Sequence, residues 1–125
     1  MQQAQYVAPN FNKTVNYAYK ATGALHSLGT NLIGSDANAT SNVISGMRYR
    51  AFGAASSISY GNNRKATLTN NSDLMRLMQM EVARPDGTEK IMSHTYGYVA
   101  NGLLSSVGNV LDSAYDFSYQ YYYRN

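Results

Sequence analysis

A thirteen-residue segment occurs twice in this chain, and the way its copies agree leaves little choice of secondary structure. Tyr17-Ala18-Tyr19-Lys20-Ala21-Thr22-Gly23-Ala24-Leu25-His26-Ser27-Leu28-Gly29 returns 79 residues later as Tyr96-Gly97-Tyr98-Val99-Ala100-Asn101-Gly102-Leu103-Leu104-Ser105-Ser106-Val107-Gly108. Seven of the thirteen positions are identical: Tyr17/Tyr96, Tyr19/Tyr98, Ala21/Ala100, Gly23/Gly102, Leu25/Leu104, Ser27/Ser106 and Gly29/Gly108. Every identity falls on an alternate residue. Alternate residues of a β-strand share one face of a sheet, whereas a helix repeats on a period of roughly 3.6. One face is therefore specified and the other left free. Between the two arms lie four residues ending in Gly, Lys20 to Gly23 or Val99 to Gly102. That is the length and chemistry of a hairpin loop with Gly at a positive φ.

The same signals recur along the chain. Tyr119-Gln120-Tyr121-Tyr122-Tyr123 starts the Tyr-x-Tyr arm again, 23 residues after Tyr96, room for two short strands and their turns. Gly61-Asn62-Asn63, Asn70-Asn71-Ser72-Asp73 and Arg84-Pro85-Asp86-Gly87 read as turns, the last with Pro second and Gly fourth. Strands are predicted near 14–19, 24–28, 43–51, 55–60, 65–69, 74–82, 88–98, 103–107 and 114–123. Over Leu74–Val82 a strand is preferred to a helix, because the flanking turns leave only nine residues. Residues 29–42 read as a polar loop, 1–12 as a flexible N-terminal arm, and 13–125 as a single β-repeat module. The fold expected is all-β: a strip of antiparallel hairpins, curved or spiralling.

Composition narrows the function classes. Twelve of the fifteen aromatic residues are Tyr, and there is neither Trp nor Cys. Charged residues make up 14%, against about 25% in an average globular chain. With 44% hydrophobic residues an ordinary charged disordered chain is excluded, and the abundance of Asn, Ser, Gly and Thr disfavours a helical bundle. A net charge of +3 is dispersed, with Arg48/Arg50 and Arg64/Lys65 the densest pairs, which gives no nucleic-acid stripe. Disulfides and thiolate metal sites are excluded. Met1-Gln2-Gln3-Ala4-Gln5 has no basic n-region, and no run approaches the roughly 20 apolar residues of a membrane span.

Catalytic and metal constellations are weak. His26 sits on the variable face of its arm, where the second copy has Ser105. His94 shares strand parity with Tyr96 and Tyr98 and is expected to pack or hydrogen-bond along that row. Neither has a second His at metal-binding spacing. Asp112 is expected to hydrogen-bond backbone in a turn, and Asp116 to pair with a neighbouring Arg or Lys. No Gly-x-Ser-x-Gly elbow or phosphate loop occurs, and no cofactor, metal or catalytic residue is expected. The tyrosine rows are the one surface with functional content, since Tyr can stack across strands, seal a sheet contact or offer a platform to sugars.

The pattern Tyr-x-Tyr-x-x-x-Gly-x-Leu-x-Ser-Leu/Val, with Leu68-Thr69-Asn70-Asn71-Ser72-Asp73-Leu74-Met75-Arg76-Leu77 between copies, resembles the RHS/YD-repeat family. That family comprises bacterial polymorphic toxins, Tc toxin C components and teneurins. The resemblance covers about residues 15–125. It implies a strip of hairpins that, in long members, spirals into a hollow cocoon around a toxic polypeptide. Where the family places Asp after Tyr-x-Tyr, this chain has Lys20, Val99 and Tyr122, and the family's Asp-Pro-x-Gly self-cleavage element has no counterpart. The expected function is a non-enzymatic module that builds a shell, tube or filament wall by edge-strand pairing and Tyr packing. The alternative is a carbohydrate- or cell-surface-binding module using exposed Tyr and Asn, with a hydrolase as the remainder. The repeat face expected to carry the structure is Tyr17, Tyr19, Gly23, Leu25, Tyr96, Tyr98, Gly102, Leu104, Tyr119 and Tyr121; assembly falls to Tyr121, Tyr122 and Tyr123. Expected partners are further copies or neighbouring repeats of a longer chain, then a polypeptide cargo or a glycan. The resemblance places the chain outside the cell or on its surface.

Overall fold

The computed structural model describes residues 2–8, 11–31 and 41–122. The chain forms two compact units, Met1–Lys65 and Ala66–Asn125. The first holds β1 (Gln2–Ala8), β2 (Phe11–Tyr19), β3 (Leu25–Thr30), β4 (Ser41–Tyr49) and β5 (Ala55–Tyr60). The division falls at the start of β6 (Lys65–Asn70), after which come β7 (Leu77–Ala83), β8 (Met92–Tyr98), β9 (Leu104–Asn109) and β10 (Phe117–Ser118). Within each unit the strands lie in chain order. The described ladders are all antiparallel. The only helical turn among the described residues is the 3-10 turn Ser113–Tyr115. This is the all-β hairpin strip that the alternating repeat predicts.

One turn geometry makes most of the hairpins. The amide of Lys20 donates to Ala24 O while that of Gly23 donates to Lys20 O, and the same pair of bonds closes Arg50–Ala54, Arg84–Thr88 and Val99–Leu103. The fourth residue is Gly each time, at φ of +82, +91, +82 and +92. This is a type I turn followed by a left-handed residue, which inserts one extra residue into the ladder. The register accordingly shifts at Ala18/Tyr19, Arg48/Tyr49 and Gly97/Tyr98. At the turn after β5 the amide of Tyr60 donates to Arg64 O, and Asn63 takes the left-handed place at φ +59. Asn is the side chain that tolerates that region best after Gly.

Several boundaries differ from expectation. Gln2–Ala8, within the expected arm, is β1, paired with β2 from Gln2↔Tyr17 to Ala8↔Phe11. Its three Gln and two Ala residues hide the alternation that marks the other strands. The strand expected over 74–82 begins only at Leu77, because Asn71 Oδ1 accepts the amides of Asp73 and Leu74 and holds the preceding residues in a turn, with Met75 at φ +56. The strand expected over 88–98 begins at Met92, after a turn in which Arg84 pairs with Glu89. The last expected strand, 114–123, shrinks to the 3-10 turn and the two residues of β10, because Asp112 Oδ1 caps the turn through the amide of Ala114.

Among the described residues the buried side chains are small. Ala66 and Ala83 are the buried apolar ones, and Thr30, Ser57 and Ser93 the buried polar ones. A strand alternating between faces has no second layer to enclose Leu or Tyr, so only side chains shorter than their neighbours vanish from solvent. Stability then rests on cross-strand pairs, each contributing roughly 0.2–1 kcal/mol, more than on an enclosed core.

Candidate functional site

The residues of the Tyr-x-Tyr motif meet at the ends of the strands, where consecutive hairpins join. The ladder between β3 and β4 runs from Thr30↔Ser41 to Leu28↔Ile44. Beyond it, at the first residue of β3, Tyr49 Oη donates to Leu25 O at 2.7 Å. The ladder between β7 and β8 runs from Val82↔Met92 to Gln79↔Thr95, and beyond it Tyr98 Oη donates to Leu77 O at 2.8 Å. The short β9–β10 ladder is extended by the amide of Tyr119 to Ser105 O, and then Tyr121 Oη donates to Leu104 O at 2.6 Å. Each hydroxyl thus satisfies the first carbonyl of the preceding hairpin's return strand, just where the backbone amides stop reaching it. The three bonds are tyrosine staples between one hairpin and the next.

Two of the stapling rings also carry a cation from the preceding turn. Lys20 Nζ lies 5.4 Å from the Tyr49 ring centroid, and the guanidinium carbon of Arg76 lies 5.6 Å from that of Tyr98. Both distances are within cation–π range. A Cβ at Gly102 would meet the Arg76 guanidinium at 2.7 Å, so the absence of a side chain there leaves room for Arg76 over Tyr98. A groove opens beside two of the junctions. One of about 450 Å³ is bordered by Lys20, Ala24, Tyr49 and Arg50, and one of about 460 Å³ by Val99, Asn101, Tyr119, Gln120, Tyr121 and Tyr122.

The remaining sequence-predicted residues take the following places. Tyr17 and Tyr19 stack along β2 with centroids 6.5 Å apart and 20° between planes. Tyr96 is half-buried opposite Val107. Gly23 and Gly102 form turns, and Leu25 and Leu104 are staple acceptors. Tyr119 and Tyr121 are exposed, as is Tyr122, whose hydroxyl donates to Gln120 Oε1 at 2.8 Å; Tyr123 lies outside the described residues. His26 is exposed on β3 and His94 half-buried on β8, and no cluster of three potential metal-ligating side chains occurs among the described residues. Asp116 accepts the amide of Asn109 at 2.6 Å, which the turn brings to it, and among the described residues it pairs with no Lys or Arg.

Sequence reasoning missed Tyr49, Arg76 and Leu77. The signal for Tyr49 was present: Tyr49-Arg50-Ala51-Phe52-Gly53-Ala54-Ala55-Ser56-Ser57 matches Tyr19-Lys20-Ala21-Thr22-Gly23-Ala24-Leu25-His26-Ser27 at Tyr, Ala, Gly, Ala and Ser. Met47 in place of the first Tyr, and Ala55 in place of Leu, conceal this copy. Arg76 and Leu77 belong to a hairpin without a Tyr-x-Tyr arm, so nothing local marks them.

With this geometry in view, the strand arrangement is similar to parts of Tc toxin structures. Against the crystal structure of TcdB2-TccC3-Cdc42 the TM-score is 0.71 at 22% identity, covering 78% of this chain and 4% of that one. The crystal structure of TcdB2-TccC3 gives the same score and identity, with 79% and 5% covered. A Photorhabdus luminescens Tc holotoxin pore does likewise, with 79% and 4%. The fold is a β-hairpin strip of the kind found there. It is consistent with an RHS/YD-like repeat, and the chain spans about a twentieth of the length of the chains it matches. No family model matches the chain, and no curated protein matches it in sequence.

Proposed function

We propose that this chain is a non-catalytic wall module, a run of hairpins joined at three of their junctions by a tyrosine staple and able to extend into a shell, tube or filament. The observation that carries the reading is the recurrence of one contact, Tyr Oη to the first carbonyl of the preceding return strand, at three hairpin junctions. A contact that recurs from one junction to another lets hairpins be added without a new kind of interface, as in other repeat arrays. The likeness to parts of much longer toxin chains supports the same reading. In a longer wall, the enclosed side would face a polypeptide cargo. The half-burial of Tyr17, Tyr96 and Tyr98 supports a packing role for these rings over one as sugar platforms.

Hairpin insertion tests this. Because Tyr119 repeats Tyr96, a second copy of residues 96–118 placed between Ser118 and Tyr119 keeps the register of every repeat position. A wall module accepts the insert: both the urea midpoint and the slope of unfolding rise, as they do when a repeat array gains a unit. A chain that unfolds on insertion, or keeps its original midpoint with an unfolded insert, would end the proposal.

A further inference from the structure

The three staples share a hydroxyl contact and differ in what covers the ring. Lys20 opens the turn before β3, and Arg76 immediately precedes Leu77; these are the residues over Tyr49 and Tyr98. In the hairpin that precedes Tyr121 the matching positions hold Val99, which opens the turn, and Leu103, which immediately precedes Leu104. Apolar residues therefore stand at both positions from which a cation covers the ring elsewhere. Among the described residues no Lys or Arg lies over the Tyr121 ring, and Tyr121 is 46% exposed. It forms part of the 460 Å³ groove, where the Tyr122–Gln120 hydrogen bond holds a second ring in place. Every large apolar side chain from Val110 to Tyr122 is exposed, a concentration that marks an interaction surface.

Charge indicates what fits there. Residues 1–65 carry Lys13, Lys20, Arg48, Arg50, Arg64 and Lys65 against Asp36 alone, whereas residues 66–125 carry six Asp and Glu against four Lys and Arg. One unit is basic and the other, which holds the groove, is net acidic. We propose that the Tyr121 groove receives a Lys or Arg side chain from the basic unit of a second copy, so that copies join head to tail. The contact is heterologous, because groove and cation lie on different units, and repetition of it builds a chain of molecules. The proposal names the junction through which the wall module grows between copies and rests on that reading, but it involves a separate site.

Sedimentation velocity of the full chain tests it. At low ionic strength the weight-average mass rises above 13.8 kDa with protein concentration. At about 1 M salt, where the Debye length falls to about 3 Å, it returns to the monomer value. Val99→Lys restores in cis the residue type found at position 20, covers the Tyr121 ring and weakens association by roughly tenfold, the size of one desolvated cation–π contact. Thermal unfolding of Val99→Lys, unchanged or raised, shows that the variant folds. Arg48→Glu with Lys65→Glu weakens association from the other side. A chain monomeric at every concentration and salt overturns the junction, as does association indifferent to both salt and Val99→Lys. Either result leaves hairpin insertion to decide the wall reading independently.

Discussion

At the scale of the residue, one oxygen atom decides whether a hairpin is held to the next. Tyr49→Phe and Tyr98→Phe keep the ring and remove only the donor to Leu25 O or Leu77 O. Each is expected to lower unfolding stability by about 1 kcal/mol, the usual net contribution of such a bond, measured by urea denaturation. Tyr96→Phe, whose ring packs opposite Val107, serves as the control and is expected to change little. The turn residues offer a near-neutral change and a loss. Asn63 occupies a left-handed position that Gly adopts freely, so Asn63→Gly is expected to cost nothing in strain, with a net change under about 1 kcal/mol. Gly61→Ala, by contrast, drives a Cβ into the backbone carbonyl of Asn42 and is expected to destabilise by about 1–3 kcal/mol.

Asp86 supplies the pH-dependent case at this scale. Its carboxylate accepts the Thr88 hydroxyl at 2.7 Å and the Thr88 amide at 2.9 Å. The hydroxyl bond chiefly, then the amide, holds its pKa below the ordinary 3.8. A carboxylate with a depressed folded pKa stabilises the turn at pH above its unfolded value and loses that contribution as pH falls through the folded one. An NMR titration should place the Asp86 midpoint below 3.8, and Thr88→Val should raise it towards that value.

At the scale of the element, the hairpins are unequal. The pair β8–β9 is joined along five residue pairs from His94↔Asn109 to Tyr98↔Leu104, whereas β10 contributes only Phe117↔Val107 and Ser118↔Ser106. Amides of β8 and β9 are expected to exchange with deuterium much more slowly than those of residues 117–122, since local opening follows the number of ladder bonds to be broken. Comparable protection in both would show that the tyrosine staple alone fixes the last segment. The existence of most strands was legible in the chain, because turn chemistry at Gly23, Gly53, Gly87 and Gly102 is local. The ends of β7, β8 and β10 were not. They depend on Asn71, Glu89 and Asp112 diverting backbone into turns that alternation by itself does not register.

At the scale of the whole molecule, a chain long enough for one enclosed core forms two units whose buried side chains, among the described residues, do not exceed Thr in size. Large apolar side chains stay at the surface, most densely from Val110 to Tyr122. Binding of a hydrophobic dye by the folded chain should therefore be strong and should fall as association proceeds. The sequence by itself determined strand, turn and facial identity, because these follow from a period of two and from the φ that Gly allows, both properties of neighbouring residues. Only the tertiary structure decided what the repeated tyrosine does. Its hydroxyl meets a carbonyl 17 to 24 residues earlier in the chain, a partner assigned by the register of one hairpin on another and, for Tyr49 and Tyr98, by the register shift at the end of the strand that carries the ring. Sequence spacing records that a tyrosine returns; the acceptor it reaches exists only once the strands are side by side.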